Sequence, residues 1–398
     1  MRRPAEAVPG DSLPWLLATA HHLPPAELAG AVAQALSRVG AVSSCLFLAD
    51  HEQVSLQPFG QPAEEAQSFR IDGTVAGRAF ALEMTCTVST DCGVRLWVPV
   101  VDGTARLGVL RVDITAEDAR DAQTQRSVEH VASLVAQLLV TKSDYTDAVE
   151  LARRNRKMSL AAELQRATLP PITLTTSRVM VTGILEPAYE VAGDSFDYAL
   201  NADVLYVAII DSVGHDIESS VISQLVNGSL RNSRRNGHNL PEAYGRANEA
   251  LTTVFRELTF ATAAFGHLDL NSGRFSWVSA GHPPPLVVRG GKMVHEADTV
   301  PALPIGLSAA EPTVNELVLD PGDMLLLYTD GVVEGGARGT ERFGLDRLTD
   351  LLSRNLLADL PPAETLRRLV RAVLEHAAHE LRDDLTMVLV EYRGGATS

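Results

Sequence analysis

In the second half of this chain, acidic residues recur at the ends of apolar, strand-like runs or in glycine-containing turns. The clearest case is LYVAIIDSVGHD (Leu205 to Asp216), where a mostly apolar run stops abruptly at Asp211. The others are Asp194 in VAGDSFD, Asp330 in LLLYTDG and the adjacent Asp383 and Asp384 in RDDLT. Carboxylates clustered without histidine or cysteine are hard oxygen donors, which suit magnesium or manganese rather than zinc. Two such ions about 3.5–4 Å apart can share a water, lower its pKa and aim it in line at phosphorus. That chemistry needs no nucleophilic side chain, and the sequence has neither a CxxxxxR loop for a cysteine phosphatase nor a GxSxG turn for an acyl hydrolase. It also lacks a GxxxxGK[ST] loop for a bound nucleotide. Singly, each aspartate is equally a helix cap, a turn residue or a solvated surface group. Asp211 differs in degree, because an acid directly after VAII is costly to bury unpaired.

The elements that must position these acids are legible from periodicity. Strand-like runs fall at 179–185, 205–210, 261–268, 274–279, 285–288, 316–319, 324–328 and 385–392, and helical patterns at 216–235, 241–258, 345–352 and 362–378. Two consecutive helices among many hairpin-linked strands predict sheets packed face to face with helices outside. Toward the N-terminus, helical spacing over 16–39 precedes strand-like pieces at 43–50, 95–101 and 107–114, and an amphipathic helix follows from about Ala119. That order predicts an α+β domain with a central antiparallel sheet. Three regions result: a domain over 12–140, a helical linker over 141–171 and a larger domain over 172–394.

Helical patterning from about Ala119 to Leu169 ends at Pro170 and Pro171. Val128, Val135 and Val149 share one heptad position, and Val131, Leu138, Tyr145 and Ala152 share its companion. The pattern lapses at Arg156 and resumes out of step at Leu160, Leu164 and Ala167, as at a coiled-coil phase change. This spacing predicts a parallel homodimer through the linker, the alternative being one amphipathic helix packed on its own domain.

Composition narrows the function classes. At 398 residues, two domains with separate cores are expected. A net charge of −16 disfavours nucleic acid and anionic membranes as partners. No apolar run approaches the roughly 18 residues of a transmembrane helix, and the start is too interrupted by proline and acid for a signal peptide. A cytoplasmic protein is expected. Cys45, Cys86 and Cys92 form no metal-ligand spacing and read as free thiols.

The motifs taken together resemble a known family. VAGDSFD, AIIDSVGHD, FATAAFGHLDLNSGRFSWVSAGHPPPL, PGDMLLLYTDGVVE and RDDLTMVLV, in that order, resemble the metal-dependent serine/threonine phosphatases of the protein phosphatase 2C type, and most closely their stage II sporulation protein E branch. AAELQRATLPP (Ala161 to Pro171) is similar to the segment before the catalytic domain in that branch. The resemblance covers about 160–393 and implies an α-β-β-α sandwich whose substrate is typically a phosphorylated anti-sigma-factor antagonist. It implies that Asp211 bridges two ions, either manganese or magnesium, with the Ser212 carbonyl completing one. Asp194 is a ligand on that side. Asp330 and Asp383 hold the other ion, Asp384 being the weaker candidate. Gly193, Gly214 and Gly331 would let backbone approach closely, and His215 and His282 read as loop braces rather than ligands or bases. Ala192, Ser212, Val213 and Asp216 depart from the family pattern, and Asp216 could instead cap the following helix. Separately, FRIDGTVAGRAF (Phe69 to Phe80) and RLWVPVVDGTARLGVLRVD resemble a GAF domain, a sensory module, over about 12–140. This implies either a ligand-gated sensor or a packing and dimerisation module.

Three functions compete. The first is a phosphatase acting on phosphoserine or phosphothreonine of a regulatory protein supplied in trans. The second is a non-catalytic regulator binding a partner near the Gly335 to Arg342 loop. The third is a small-molecule phosphoesterase.

Overall fold

A computed structural model describes residues 12–60, 67–103, 105–144, 146–187, 189–190, 193–214, 216–255, 259–290, 293–307, 310–336, 341–378, 381 and 383–394. The chain divides into two compact units, Met1–Arg156 and Lys157–Ser398.

The first unit contains α1 (Ser12–Ala20), α2 (Leu28–Ser37), β1 (Ala41–Ala49), β2 (Ser55–Phe59), β3 (Phe69–Arg70), α3 (Val75–Leu82), β4 (Cys86–Thr90), β5 (Gly93–Asp102), β6 (Ala105–Ile114), α4 (Ala122–Ser143) and α5 (Ala148–Ala152). Its strands form an antiparallel sheet in the order β3-β2-β1-β6-β5-β4. The run CLFLA (Cys45 to Ala49) is apolar throughout because this end of β1 is buried on both faces. Leu46 and Leu48 join the core under α1, α2 and α4, whereas Cys45, Phe47 and Ala49 join the core that holds the α3 residues Ala76, Ala79 and Phe80. All three cysteines are free.

The heptad-like valines belong to this core, which corrects the coiled-coil expectation. Val128, Val131 and Val135 are 0% exposed and pack in the unit's own hydrophobic cluster, with Val149 at its edge and Leu138 and Ala152 partly buried against it. Over so few heptads a 3.5-residue repeat is hard to distinguish from the 3.6 of an ordinary packed helix. The helix also stops, since α4 ends at Ser143 and only the short α5 follows before Arg156. Polar bonds hold the next residues out of helix: Arg153 Nε donates to the Ala49 carbonyl at 3.0 Å and Asn155 Nδ2 to Asp50 Oδ2 at 2.6 Å. Among the described residues, the valines of the 119–169 seam are therefore spent inside the unit's own core rather than left for a second copy. Tyr145, also assigned to that seam, lies outside the described residues.

The second unit contains α6 (Leu160–Arg166), β7 (Thr173–Thr175), β8 (Val179–Glu186), β9 (Asp194–Asn201), β10 (Val204–Ser212), α7 (Ile217–Arg235), α8 (Leu240–Val254), β11 (Ala261–Asp269), β12 (Arg274–Ala280), β13 (Leu286–Arg289), β14 (Met293–Glu296), β15 (Asn315–Val318), β16 (Met324–Tyr328), α9 (Asp330–Glu334), α10 (Leu345–Leu357), α11 (Pro362–His376) and β17 (Leu385–Tyr392). Thus the 141–171 region is shared between the units, α5 with the first and α6 with the second.

Its described strands form two antiparallel sheets, ordered β15-β12-β11-β10-β9 and β14-β13-β16-β17-β8-β7. Val181, Phe196, Val207, Ile209, Trp277, Leu325, Leu327 and Val388 fill the space between them. Outside the first sheet, Ala208 and Ile210 pack with Ile222, Val226, Tyr244 and Leu251 of α7 and α8. Outside the second, Leu326 and Leu389 pack with Leu348, Leu352, Leu369 and Val373 of α10 and α11. The result is the expected helix-sheet-sheet-helix sandwich. Strands β7, β9 and β14 and helix α9 were not among the elements expected from periodicity. β9 reads DSFDYALN, and three of its four buried residues, Asp194, Ser195 and Asp197, are polar, so it does not announce a buried strand.

Candidate active site

Side-chain alternation places the first two acids. In β10, Leu205, Val207 and Ile209 face the space between the sheets, and Asp211 is the next residue of that parity. In β9, Phe196 faces the same space and Asp194 shares its parity. The two strands are antiparallel, with Asp194 and Asp211 directly opposite. Each therefore extends the core-facing row of its strand by one position, to the rim where the sandwich opens.

The second sheet supplies the remaining acids at the same rim. β16 ends at Tyr328, and after Thr329 the chain turns into α9, whose first residue is Asp330. Asp383 and Asp384 lie immediately before β17. Thr329 stitches these pieces together: its N–H donates to the Thr386 carbonyl at 3.0 Å, its hydroxyl accepts from the Thr386 N–H at 3.0 Å, and the hydroxyl donates to Asp194 Oδ2 at 2.8 Å. Asp384 Oδ2 accepts from the Gly193 N–H at 2.8 Å and the Asp194 N–H at 3.3 Å, and so joins the start of β17 to the start of β9. Asp383 Oδ1 accepts from the Asp384 N–H at 2.9 Å.

Two glycines are required by close backbone approach. A Cβ on Gly331 would lie 1.9 Å from the Asp384 carbonyl oxygen, and one on Gly193 would lie 2.8 Å from that of Ser212. Gly214 has φ +99°, a left-handed conformation that strains other residues. The unusual Ser212 is built in rather than loose, since its hydroxyl donates to the Gly193 carbonyl at 3.1 Å and the Ser219 carbonyl at 2.8 Å. Asp216 is a helix cap, its carboxylate accepting from the Glu218 N–H at 3.0 Å and the Ser219 N–H at 3.4 Å at the start of α7. Ala192 and His215 lie outside the described residues, as do residues 337–340 of the expected partner loop.

Electrostatics show how closely these acids crowd. Asp194 is 1% exposed, and burial, then repulsion from Asp211 and Asp384, hold its carboxyl well above the ordinary range. Asp211 is pushed up to about 8 by burial, then by Asp330, Asp383 and Asp384. Asp330 is raised by burial, then by Asp383 and Glu334. Five carboxylates from four separate segments thus meet at one end of the sandwich. Among the described residues no three acidic, histidine or cysteine side chains close on one point tightly enough to cage an ion by themselves. As a donor set, all-oxygen carboxylates beside the Ser212 carbonyl fit a hard divalent cation.

His282 stands behind the acids. It is 5% exposed, and its Nδ1 is 2.9 Å from the hydroxyl of Thr262, which pairs across the sheet with Asp211. Burial drives its pKa down to about 3, leaving a neutral ring beside Thr262. The sequence did not single out Thr329 or the clasp made by Asp384. A Thr before an acid after a strand is too common a pair to be a signal, and adjacent aspartates do not reveal which one turns inward.

A helix-flanked double sheet carrying an acid cluster at its rim is the arrangement that the resemblance to the protein phosphatase 2C type implies. Residues 201–393 match the family described as stage II sporulation protein E. That match includes Asp211, Asp330 and Asp383, while Asp194 lies just before it. The chain is 26% identical over 261 residues to Protein IcfG of Synechocystis sp., covering 57% of this chain and 40% of that one. It is 25% identical over 248 residues to phosphoserine phosphatase RsbP of Bacillus subtilis, covering 60% and 58%. Among solved structures, the RsbU and RsbW domains of Rv1364c from Mycobacterium tuberculosis align with 26% identity and a TM-score of 0.50, over 55% of this chain and 62% of that one. The chain therefore spans about half the length of the curated relatives it matches.

Proposed function

We propose that the second unit is a divalent-metal-dependent phosphatase that removes phosphate from serine or threonine of a regulatory protein. The pairing of Asp194 with Asp211, facing Asp330, Asp383 and Asp384 across the mouth of the sandwich, carries this reading. Asp194, Asp211, Asp330 and Asp383 would hold two manganese or magnesium ions with the Ser212 carbonyl. Bound there, the ions would supply an activated water and neutralise charge on the phosphoryl oxygens. The protein's own part is positional. Thr329 fixes the rotamer of Asp194, Asp384 holds the β9 and β17 ends together, and His282 with Thr262 steadies the strand opposite Asp211. A phosphorylated anti-sigma-factor antagonist is the substrate favoured by the family resemblance and by similarity to a phosphoserine phosphatase. The first unit is read as a GAF-like sensor that regulates the second.

Hydrolysis of p-nitrophenyl phosphate with and without manganese, on wild type and Asp211→Asn, tests the reading. Metal-dependent turnover lost in the variant is expected. A folded wild type without turnover under either ion would favour the partner-binding regulator instead.

A further inference from the structure

Large apolar side chains are exposed at the end of the second unit where the acids lie. Val213 is 45% exposed, Ile217 46%, Val221 43%, Val254 57% and Leu307 37%. Their placement follows from named bonds. Val213 is two residues beyond Asp211, and its N–H donates to the Phe260 carbonyl at 3.3 Å. The Ser212 hydroxyl holds the Ser219 carbonyl, so the first turn of α7, with Ile217, lies directly against the acid-bearing strand end. α7 and α8 are packed neighbours joined by residues 236–239, and so short a connection makes them antiparallel, bringing Val254 at the end of α8 back beside the start of α7. Gly306, next to Leu307, packs so closely on Thr259 and Leu251 that a Cβ there would lie 2.3 Å from the Thr259 carbonyl oxygen. Single exposed apolar residues are ordinary on protein surfaces, but a set gathered beside a reactive site marks a contact surface.

We infer that Val213, Ile217, Val221, Val254 and Leu307 form a substrate-docking rim, and that the substrate is a phosphoprotein whose phosphorylated residue is flanked by aliphatic side chains. The inference rests on the phosphatase reading above. Its occupant follows from contiguity, because a protein that delivers phosphoserine to Asp211 must also cover Val213 and the first turn of α7. A small phosphate ester reaches the acids without touching that surface. The rim therefore contributes to recognition of protein substrates, and the acids to turnover of any substrate.

Two synthetic phosphoserine peptides, one flanked by Leu and Ile and one by Ser and Gly, provide the test, with p-nitrophenyl phosphate as the control and the full chain as the enzyme. Wild type is expected to prefer the aliphatic peptide by about tenfold or more in kcat/KM, the size of burying one or two such side chains. Val213→Ser combined with Ile217→Ser should erase that preference through KM while leaving p-nitrophenyl phosphate turnover unchanged, and Val254→Ser alone should weaken it. Equal use of the two peptides by wild type, or a preference that survives these substitutions, overturns the inference. So does a fall in oligomeric state on sedimentation of the variants, which would assign the rim to a second copy of the chain. Wild-type turnover of p-nitrophenyl phosphate with indifference between peptides defeats only the docking rim. No turnover of any substrate defeats the phosphatase reading and the rim with it.

Discussion

Asp194 and Asp211 are cross-strand partners in one antiparallel hairpin, both on the core-facing side of their strands. Facing carboxylates are a destabilising pair in a sheet unless a cation lies between them. Here both are also raised in pKa by burial and by each other or their acidic neighbours. On the proposed function, the hairpin gives up stability to hold acids where a cation would bind.

Replacing one member of that pair should separate stability from activity. Asp211→Asn keeps the shape and removes a carboxyl that is costly to ionise in the fold, so above about pH 8 the metal-free protein should be more stable than wild type, by an amount on the order of 1 kcal/mol. Its manganese-dependent hydrolysis should fall at least about a hundredfold. Thermal melts in chelator at that pH alongside an activity assay check both, and a variant that melts lower there while metal-free would contradict the first.

The pH dependence of stability follows from the same carboxylates. Asp211 titrates near 8 in the folded chain and near 3.8 when unfolded, so between these values the native state holds a proton that the unfolded state has released. Metal-free stability should therefore fall as pH rises from about 4 to 8, and Asp194 and Asp330 act in the same direction. Millimolar manganese should reverse the trend at pH 8. Denaturant titrations at pH 5 and 8, with and without the ion and against Asp211→Asn, would show whether the slope belongs to this cluster.

His282 contributes the opposite slope. Its pKa lies near 3 when folded and near 6.5 when unfolded, so its contribution is fully present above 6.5 and is lost as pH falls toward 3. Its imidazole resonances should stay at neutral-form shifts from pH 7 to 5 while exposed histidines titrate. Protonation near 6 in the folded protein would show that the ring is not sequestered behind Thr262.

Gly331→Ala places a methyl group 1.9 Å from the Asp384 carbonyl, and backbone there cannot yield cheaply. A loss of roughly 1–3 kcal/mol is expected, together with weakened manganese dependence, because the displaced segment carries Asp383. An alanine variant with unchanged melting and unchanged metal titration would show that this close approach is dispensable.

In the first unit, Val131→Ala should lower the melting of the full chain by roughly 1–3 kcal/mol and leave its sedimentation unchanged, because Val131 is fully enclosed by its own sheet and helices. A change in oligomeric state with no change in stability would restore the coiled-coil reading.

Much of the sandwich was legible because its strands announce themselves by burial. The run before Asp211 is buried on both faces, which reads in sequence as unbroken apolar residues ending at an acid. Segments that bury polar residues or run for only a few residues, such as β9 and α9, left too little apolar period to detect. The α4 valines misled for a related reason, since a pattern of spacing says that a face is covered but not by what. Asp384 shows the same limit at the site: two acids in a row specify charge, and only the register of β17 decides which one reaches back to β9.

The clasp between Asp384 and the Gly193 and Asp194 amides joins segments separated by 191 and 190 positions in the chain. During synthesis the hairpin with Asp194 and Asp211 emerges long before the residues that complete its surroundings. A nascent chain on the ribosome would thus hold half of the acid cluster, and the proposed phosphate removal would begin only after translation had passed Asp384 and β17 had joined its sheet.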